Sequence, residues 1–391
     1  MSDVLKGVRV LELGNFITGP CAAMTLGELG ADVIKVEQPK TGDPFRSFQG
    51  GLYSPHFRSY NACKRSLTLN LREPRGVEAL LRLVDESDVL IENFRPDVLE
   101  KLGFGWQVLQ QRNPRLIYCS ITGFGADGPY AAQPCYDTVA QSQSGYLSQF
   151  IDTSNPRVAG PAVADALTGM YAAQGVLGAL FERASSGRGR RVEVAMLDSM
   201  IAFTTEPFSS YFETSIPPGP LTRSAGSQAF ALECSDGKFV AIHLSSPEKF
   251  WRNLISAIGH PALADDPRFN SRDERVRNYA SLGTELKAIF RGRSRAYWID
   301  QLGTNDVPHS PVATLDEVPE NPQVRHRDIF ETIQHPTQGA VKHVRRPILI
   351  DGKRTELTIP PPTLGEHTDA ILGSLGFAIS DIESMRRDGV V

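Results

Sequence analysis

The sequence predicts an α/β protein with a large open-sheet domain and a smaller α+β domain, and three observations support this. Short apolar runs typical of buried strands alternate with helix-length segments in the first half of the chain, as parallel strands with helical crossovers require. The chain, with 391 residues, is too long for one ordinary core. A proline-rich stretch then separates this half from a region of hairpin-like strands.

The first predicted elements form a βαβ unit. Val8 to Leu13 form an apolar strand, Pro20 stands in the first turn of a helix that Gly30 ends, and Asp32 to Glu37 form the next strand. The unit lacks GxGxxG, so a dinucleotide site is not indicated. The alternation continues with a helix at Glu73–Glu86 and strands at Asp88–Phe94, Leu116–Thr122 and Arg191–Met196. In such sheets, ligands bind in the loops beyond the carboxyl ends of the strands.

A helix rich in small residues is predicted from Ala166 to Arg183, and its composition indicates that neighbouring elements approach it closely. Asp165 stands just before its first turn. There its carboxylate can accept hydrogen bonds from unpaired amides and interact with the helix dipole, so we expect it to be ionised. An ionised, positioned carboxylate suits covalent acyl transfer, although a purely structural helix cap is the simpler interpretation of the position.

The second half of the chain is predicted to contain a small domain between two linkers. We expect a linker at 206–228, an α+β domain at 229–312, a second linker at 313–330 and a final segment at 331–391. Within the small domain, strands are predicted at Ala229–Cys234 and Phe239–His243, and helices at Pro247–Ile258, Tyr279–Phe290 and Arg295–Gly303.

Composition limits the function classes. The net charge of −4 and a pI near 6.1 provide no general attraction for nucleic acid or an anionic membrane. No apolar run approaches the ~20 residues of a membrane span and no leader is recognisable, so we expect a cytoplasmic protein. Five scattered cysteines indicate reduced thiols, and the eight histidines show no metal-ligand spacing, so no metal is expected.

The segment PAVADALTGMYAAQGVLGALFER, followed by SGRGRRVEVAMLDS, resembles the signature of the class III CoA-transferases, the CaiB/BaiF family. This family includes formyl-CoA, carnitine and dicarboxylate CoA-transferases and the α-methylacyl-CoA racemases. Five further blocks are similar to the family in the same order, namely RVLELGNFITGPCAAMTLGELGADVIKVEQPKTGD, NACKRSLTLNL, DVLIENFRPDVLEKLGFGW, IYCSITGFGADGP and YDTVAQSQSG.

The resemblance implies roles for individual residues. Asp165 is then the acyl-accepting nucleophile, and Asn93, Phe94 and Lys101 contact CoA. The chain departs from the pattern at Gln38, where several relatives have an Arg that contacts the nucleotide. It also departs at position 17, where Ile17 replaces the Gln of formyl-CoA transferase.

The resemblance also implies the architecture and the partners. The large domain is expected to be Rossmann-like and formed by both chain ends, in a homodimer of two interlinked chains. The substrates are expected to be an acyl-CoA and a carboxylic acid, with no tightly bound cofactor.

Further candidates come from the residue types. Lys64 and Arg65, predicted to lie in a loop, can bind phosphate, and Lys40 or Arg46 can replace the contact missing at Gln38. Backbone amides of the loop from Asn15 to Gly19 can stabilise the reacting carbonyl oxygen, because Ile17 has no polar side chain. By resemblance, the neighbours Tyr136 and Asp137 match a Tyr–acidic pair near the nucleophile.

The sequence is compatible with three functions. Tyr136 stands where the racemases have His, and because Tyr is a poor base near neutrality we favour CoA transfer over racemisation of a 2-methylacyl-CoA. A non-catalytic CoA-binding protein is the third interpretation. Arg46, Arg58 and Arg223 can pair with a distal carboxylate, which favours a dicarboxylate such as succinate as the acceptor.

Overall fold

The computed structural model describes residues 4–245 and 247–391, and the chain forms two compact units. The first comprises the described residues up to Leu147 together with Val158–Thr205 and Arg327–Val391. The second comprises Ser148–Arg157 and Glu206–His326. Among the described residues, no helix is both long enough and apolar enough to cross a membrane.

The first unit is built on a six-stranded parallel sheet in the order β3-β2-β1-β4-β5-β6. Its strands are β1 (Arg9–Glu12), β2 (Asp32–Glu37), β3 (Lys64–Thr68), β4 (Val89–Glu92), β5 (Ile117–Thr122) and β6 (Arg191–Ala195). This is the doubly wound order in which the chain reverses direction across the sheet between β1 and β4. The prediction of an open parallel α/β sheet is therefore confirmed.

Helices cover both faces of this sheet. The helices and the hairpin strands of the unit are α1 (Thr18–Glu28), α2 (Pro55–Ser59), α3 (Pro74–Asp85), α4 (Val98–Lys101), α5 (Trp106–Arg112), α6 (Asp137–Gln143), α7 (Val163–Ser186), α8 (Met196–Phe203), β10 (Phe330–His335), β11 (Gly339–Val344), α17 (Thr368–Ser374) and α18 (Ile379–Arg387). Alternate strand residues point to opposite faces, so Val10 packs with α1 and α7 whereas Leu11 packs with α3, α17 and α18. The two apolar layers fix the sheet between them.

Helices α1 and α7 pack closely, as the small residues of α7 predict. A Cβ atom placed on Gly169 would lie 2.7 Å from the Cβ of Cys21 and 2.7 Å from the carbonyl oxygen of Thr18. Only a glycine allows this approach between the two helices.

The second unit contains a three-stranded antiparallel sheet covered by helices. Its elements are α9 (Thr205–Thr214), α10 (Thr222–Ser227), β7 (Ala229–Glu233), β8 (Phe239–His243), α11 (Glu248–Ile258), α12 (Ala262–Asp265), α13 (Arg272–Arg277), α14 (Tyr279–Phe290), α15 (Arg295–Thr304), β9 (His309–Pro311) and α16 (Pro322–His326). Its core is aromatic, with Trp251, Phe269 and Trp298 buried around the sheet. This smaller antiparallel sheet matches the α+β region expected.

The stretch at 206–228, expected to be a linker, contains two helices and belongs to the second unit. Pro207 is tolerated because it stands in the first turn of α9, where a backbone N–H has no intrahelical partner. The prolines at 217, 218 and 220 lie between α9 and α10, where they interrupt the helical run.

Candidate active site

The site lies at the carboxyl ends of β1 and β4, where the strand order of the sheet reverses. Asn93, just after β4, accepts a hydrogen bond from the Asn15 amide and donates to the Asn15 carbonyl and the Thr18 hydroxyl, each at 2.8 Å. These bonds use both donors of the Asn93 amide. Asn93 therefore holds the loop after β1 against the start of α1.

Asp165 does not cap α7, contrary to the expectation from the sequence. The helix begins at Val163, and Asp165 is its third residue. The cap comes from Asp137, whose Oδ1 accepts a hydrogen bond from the Ala164 amide at 2.8 Å and lies 3.4 Å from the Asp165 amide. Because the longer helix places Asp165 inside the first turn, its own carboxylate is free for another role.

The expectation that Asp165 is fully ionised is also wrong. Burial, and then the neighbouring charge of Asp137, raise the pKa of Asp165 to about 7. A half-buried carboxylate loses solvation, and a like charge beside it adds to the cost of ionisation. Asp165 therefore exchanges its proton in the physiological pH range.

A cavity of about 170 Å³ contains Asp165, and we call it the acyl cavity. Its lining includes Ile17, Thr18, Phe94, Arg95, Cys135, Tyr136 and Met196. The structure thus brings together Asp165, Ile17 and Tyr136, which lie far apart in the sequence. Tyr136 is 63% exposed, and its ring packs edge-on against Phe16 with 5.9 Å between centroids.

The loop from Asn15 to Gly19 is expected to stabilise the carbonyl oxygen, but only some of its backbone amides are free to donate a hydrogen bond. The Asn15 amide donates to Asn93, and the Phe16 amide donates to Oδ1 of Asp43 at 3.1 Å. Phe16 has a φ of 60°, a left-handed conformation that is strained for a bulky residue. The amides of Ile17 and Thr18 stand at the uncapped start of α1 and make no hydrogen bond with the described residues.

A second cavity of about 470 Å³, which we call the nucleotide cavity, lies beside the first, and Phe94 lines both. Apolar residues provide most of its wall, namely Leu13, Val36, Leu69, Leu71, Val98 and Leu102. Its polar lining includes Asn15, Gln38, Arg72 and Lys101. The side chains of Arg72 and Lys101 have no ion-pair partner among the residues that the structure describes.

Sequence reasoning missed Arg72. The available signal was its position, since it follows β3 by a few residues and therefore lies beyond the carboxyl end of a parallel strand.

Two cations expected to bind CoA are instead buried in ion pairs. Lys64 is fully buried, and its ammonium donates to Glu12 Oε2 at 2.7 Å and Asn61 Oδ1 at 2.8 Å. Arg46 is also fully buried and makes a bidentate pair with Glu37 at 2.7 and 2.8 Å. A buried carboxylate needs such a partner, so neither cation is available to a phosphate.

Arg65 also forms an ion pair outside the two cavities. Its guanidinium binds Asp32 with a shortest distance of 2.6 Å, and it lines neither cavity. Gln38 and Lys101, by contrast, line the nucleotide cavity.

A family model described as CoA-transferase family III matches residues 5–368. The chain belongs to this family. The family III chain is 31% identical over 412 residues to a formyl-CoA:oxalate CoA-transferase of Streptomyces avermitilis, with all of both chains covered. It is 33% identical to a succinate–glutarate CoA-transferase of Agrobacterium fabrum, with 95% of each chain covered.

Its fold is similar to the crystal structure of a CaiB/BaiF family protein from Brucella suis, with a TM-score of 0.86 and 33% identity. The match covers 96% of this chain and all of the Brucella chain. The similarity thus extends over both units of the family III chain.

Proposed function

We propose that this protein transfers CoA from an acyl-CoA to a carboxylic acid through a covalent intermediate on Asp165. The observation that carries the proposal is the placement of a half-buried, unpaired carboxylate in the acyl cavity, next to a larger cavity suited to a nucleotide. The relatives named as a formyl-CoA:oxalate and a succinate–glutarate CoA-transferase support the same reaction class.

The nucleotide cavity suits CoA. Its apolar wall offers a surface for adenine, and Arg72 and Lys101 offer unpaired cations for the phosphates. Phe94 lines both cavities, so a pantetheine arm that passes it reaches Asp165. Gln38 can donate hydrogen bonds from the same wall but adds no charge.

The reaction proceeds by four successive substitutions at carbonyl carbon. The Asp165 carboxylate attacks the thioester carbon, the C–S bond breaks, and CoA leaves as the thiolate. The thiolate then attacks the Asp165 carbonyl of the mixed anhydride, and the first acid leaves as its carboxylate. The acceptor carboxylate attacks the aspartyl carbon of the resulting thioester, the C–S bond breaks, and a second mixed anhydride forms with release of the CoA thiolate. The thiolate then attacks the acyl carbon of this anhydride, and the C–O bond to Asp165 breaks. One thioester replaces another, and Asp165 is regenerated.

The free amides of Ile17 and Thr18 provide the electrostatic part of this mechanism. Both residues line the acyl cavity at the positive end of the α1 dipole. A carbonyl oxygen that becomes negative during the attack can accept from these amides. The absence of a polar side chain at Ile17 is therefore compatible with transfer.

We propose a dicarboxylate as the acceptor acid, with Arg95 as the residue that pairs with its distal carboxylate. Arg46 is buried against Glu37, Arg58 lies over the ring of Tyr53, and Arg223 pairs with Glu206, so the arginines expected from the sequence do not line the acyl cavity. Arg95 does line it and has no ion-pair partner among the described residues. The name of each relative includes a dicarboxylic acid, oxalate in one, and succinate and glutarate in the other.

One observation favours proton exchange as a second candidate function. The pKa of Asp165, about 7, suits a base that removes an α-proton near neutrality. Racemisation also needs an acid on the opposite face of the α-carbon, and the Tyr136 hydroxyl is the neighbour available in the acyl cavity. Deuterium uptake into a 2-methylacyl-CoA without any acceptor acid distinguishes this reaction from transfer.

We further propose a homodimer. In the first unit, α7 exposes Met170 and Phe181, at 55% and 85%, and the adjacent α8 exposes Phe203 at 52%. Large apolar side chains so exposed on neighbouring helices are typical of an interface. Light scattering of the purified protein gives the mass that checks this proposal.

The deciding experiment follows CoA esters by mass spectrometry when the protein is mixed with pooled acyl-CoAs and acceptor acids that carry ¹⁸O. New acyl-CoA species are expected with the native protein and with Asp127→Asn, an exposed control, but not with Asp165→Ala. Because the bridging oxygen of the second anhydride comes from the acceptor, ¹⁸O is expected in the Asp165 peptide. Transfer by Asp165→Ala would refute the proposed mechanism.

A further inference from the structure

Asp137 holds its carboxylate between two helices. Its Oδ1 accepts from the Ala164 amide at 2.8 Å, and its Oδ2 accepts from Nε2 of Gln141, one turn along α6, at 2.6 Å. Gln141 is only 4% exposed, so packing fixes this donor. Each oxygen of Asp137 thus has a defined partner, and the side chain has little freedom to move away from the start of α7.

Asp165 faces this carboxylate with no partner of its own. Its oxygens accept no hydrogen bond and form no ion pair with the residues that the structure describes. Asp137 is close enough for its Oδ1 to lie 3.4 Å from the Asp165 amide, and burial limits solvent screening between the two charges. The arrangement places two carboxylates together and gives hydrogen-bond partners to only one of them.

We propose that Asp137 is a positioning residue that promotes acylation of Asp165, because it fixes the first turn of α7 and repels a charge that acylation removes. Gln141 acts through Asp137 by holding it in place. The inference rests on the proposed transferase reaction and concerns the different roles of the two carboxylates in it.

The charge balance of the reaction explains how Asp137 promotes acylation of Asp165. When the Asp165 oxygen bonds to the thioester carbon, the C–S bond breaks and the negative charge leaves on the CoA thiolate. When that thiolate forms the aspartyl-CoA bond, the charge leaves on the released acid. Position 165 is neutral in both covalent intermediates, so the repulsion from Asp137 acts only on the free carboxylate and raises its energy relative to the acylated forms.

None of the other titratable groups described near Asp165 is negatively charged at pH 7, so Asp137 is the anion next to it. Burial raises the pKa of Cys135 to about 11 and raises the pKa values of Tyr60 and of Cys21 on α1, so these groups are neutral at pH 7. Arg95 and Tyr136 line the same cavity, but the charge that acts on the Asp165 carboxyl is that of Asp137.

This proposal predicts a pH dependence with a definite sign. Only the ionised Asp165 attacks, so acylation increases as the pH rises through about 7, the pKa of Asp165. Removal of the Asp137 charge lowers the pKa of Asp165 and moves this increase to lower pH. A neighbouring charge changes the pKa of a buried carboxyl by about one or more, so we expect the midpoint of the increase to move by about one pH unit.

The test variant is Asp137→Asn, which keeps an oxygen that can cap α7, while the amide of Gln141 can rotate to accept from the new NH₂ group. Asp127→Asn in an exposed loop is the matched control. The measurement is the yield of covalent adduct on Asp165 by intact-protein mass spectrometry, in single turnover, over a pH series that spans neutrality. Asp137→Asn is expected to shift the midpoint by about one pH unit toward acid and to reduce the adduct about tenfold above the midpoint.

A second variant separates charge from structure. Gln141→Leu keeps the Asp137 charge but removes the donor that holds it, so a slower reaction with the midpoint near that of the native protein is expected. Equal losses in both variants with no midpoint shift would reduce Asp137 to a structural cap and overturn the proposal. Thermal melts identify a variant that fails to fold. If the native protein forms no adduct and transfers nothing, the proposed function itself fails, and the inference fails with it.

Discussion

At the scale of single residues, the phosphate contacts proposed for Arg72 and Lys101 can be tested with truncated substrates. Each cation lines the nucleotide cavity without an ion-pair partner, so its removal costs a charge-assisted hydrogen bond to CoA. Arg72→Ala and Lys101→Ala are expected to raise KM for an acyl-CoA by about tenfold, and kcat should change little. With an acyl-pantetheine, which lacks the nucleotide, KM should equal that of the native protein.

Arg188→Ala is the control for this prediction, because Arg188 is exposed and lines neither cavity. A tenfold effect on the pantetheine thioester as well would place the lost contact near the reacting end and contradict the assignment.

The same residues show where sequence reasoning about a site works and where it does not. The sequence predicted that Asp165, Ile17 and Tyr136 lie near one another, because a resemblance in several blocks relates positions that are distant in the chain. The structure places all three in the acyl cavity. Lys64 and Lys101 look alike in the sequence, yet Lys64 is fully buried against Glu12 and Lys101 is exposed. Whether a cation meets a buried carboxylate depends on strand pairing across the sheet, and no local pattern contains that information.

At the scale of elements, the close contact of α1 and α7 joins the nucleophile to the amides that stabilise the carbonyl oxygen. Gly169→Ala places a methyl group 2.7 Å from Cys21 Cβ and from the Thr18 carbonyl, so the two helices must move apart. The distance between Asp165 and the amides of Ile17 and Thr18 then changes. The variant is expected to lose kcat by about tenfold or more, with a smaller change in KM.

The matched substitution for this prediction is Gly373→Ala in α17, since a Cβ there meets nothing within 4 Å. That variant should retain full activity and gain stability, because alanine favours a helix by about 1 kcal/mol over glycine. Steady-state kinetics and thermal melts of both variants provide the comparison. Unchanged kcat in Gly169→Ala would show that the geometry of the site tolerates a shift of these helices.

Elements were predictable to different degrees. Apolar runs located β1, β2, β4 and β5, because strands covered on both faces are continuously apolar. Alternation located β6, whereas β3 was not predicted because it begins with Lys64 and Arg65, which the sequence predicts to lie in a loop. The start of α7 was placed three residues late, because its cap is Asp137, a residue distant in sequence. The helices α9 and α10 were assigned to a linker because their prolines lie at positions that helices tolerate or between the two helices.

At the scale of the whole molecule, the last segment of the chain belongs to the first unit, and a buried charge cluster contributes to that attachment. Arg46 donates to the Pro362 carbonyl at 3.1 Å, and Gly365 donates to the Ser66 hydroxyl at 2.9 Å. Such contacts join positions about 300 residues apart. Only the resemblance to a family predicted the return of the chain, since composition and periodicity carry no signal for it.

The cluster has three carboxylates, Glu12, Glu37 and Asp43, and three cations, Lys35, Arg46 and Lys64, so its charges balance. Lys64→Met leaves Glu12 buried with Lys35 alone. We expect this variant to lose about 3–5 kcal/mol of unfolding free energy, because a buried charge without its partner is costly. Arg65→Met, which breaks a half-exposed pair with Asp32, should lose about 1 kcal/mol or less.

Urea unfolding followed by circular dichroism measures both losses, and the double variant Glu12→Gln with Lys64→Met should recover part of the stability because it removes the unpaired charge. Since Lys64 lines neither the acyl cavity nor the nucleotide cavity, the fraction of Lys64→Met that remains folded should bind acyl-CoA with the native KM. A tenfold rise in KM with native stability would instead place Lys64 at the CoA phosphates. The two outcomes differ in both observables, so this single variant decides whether the cation serves the fold or the substrate.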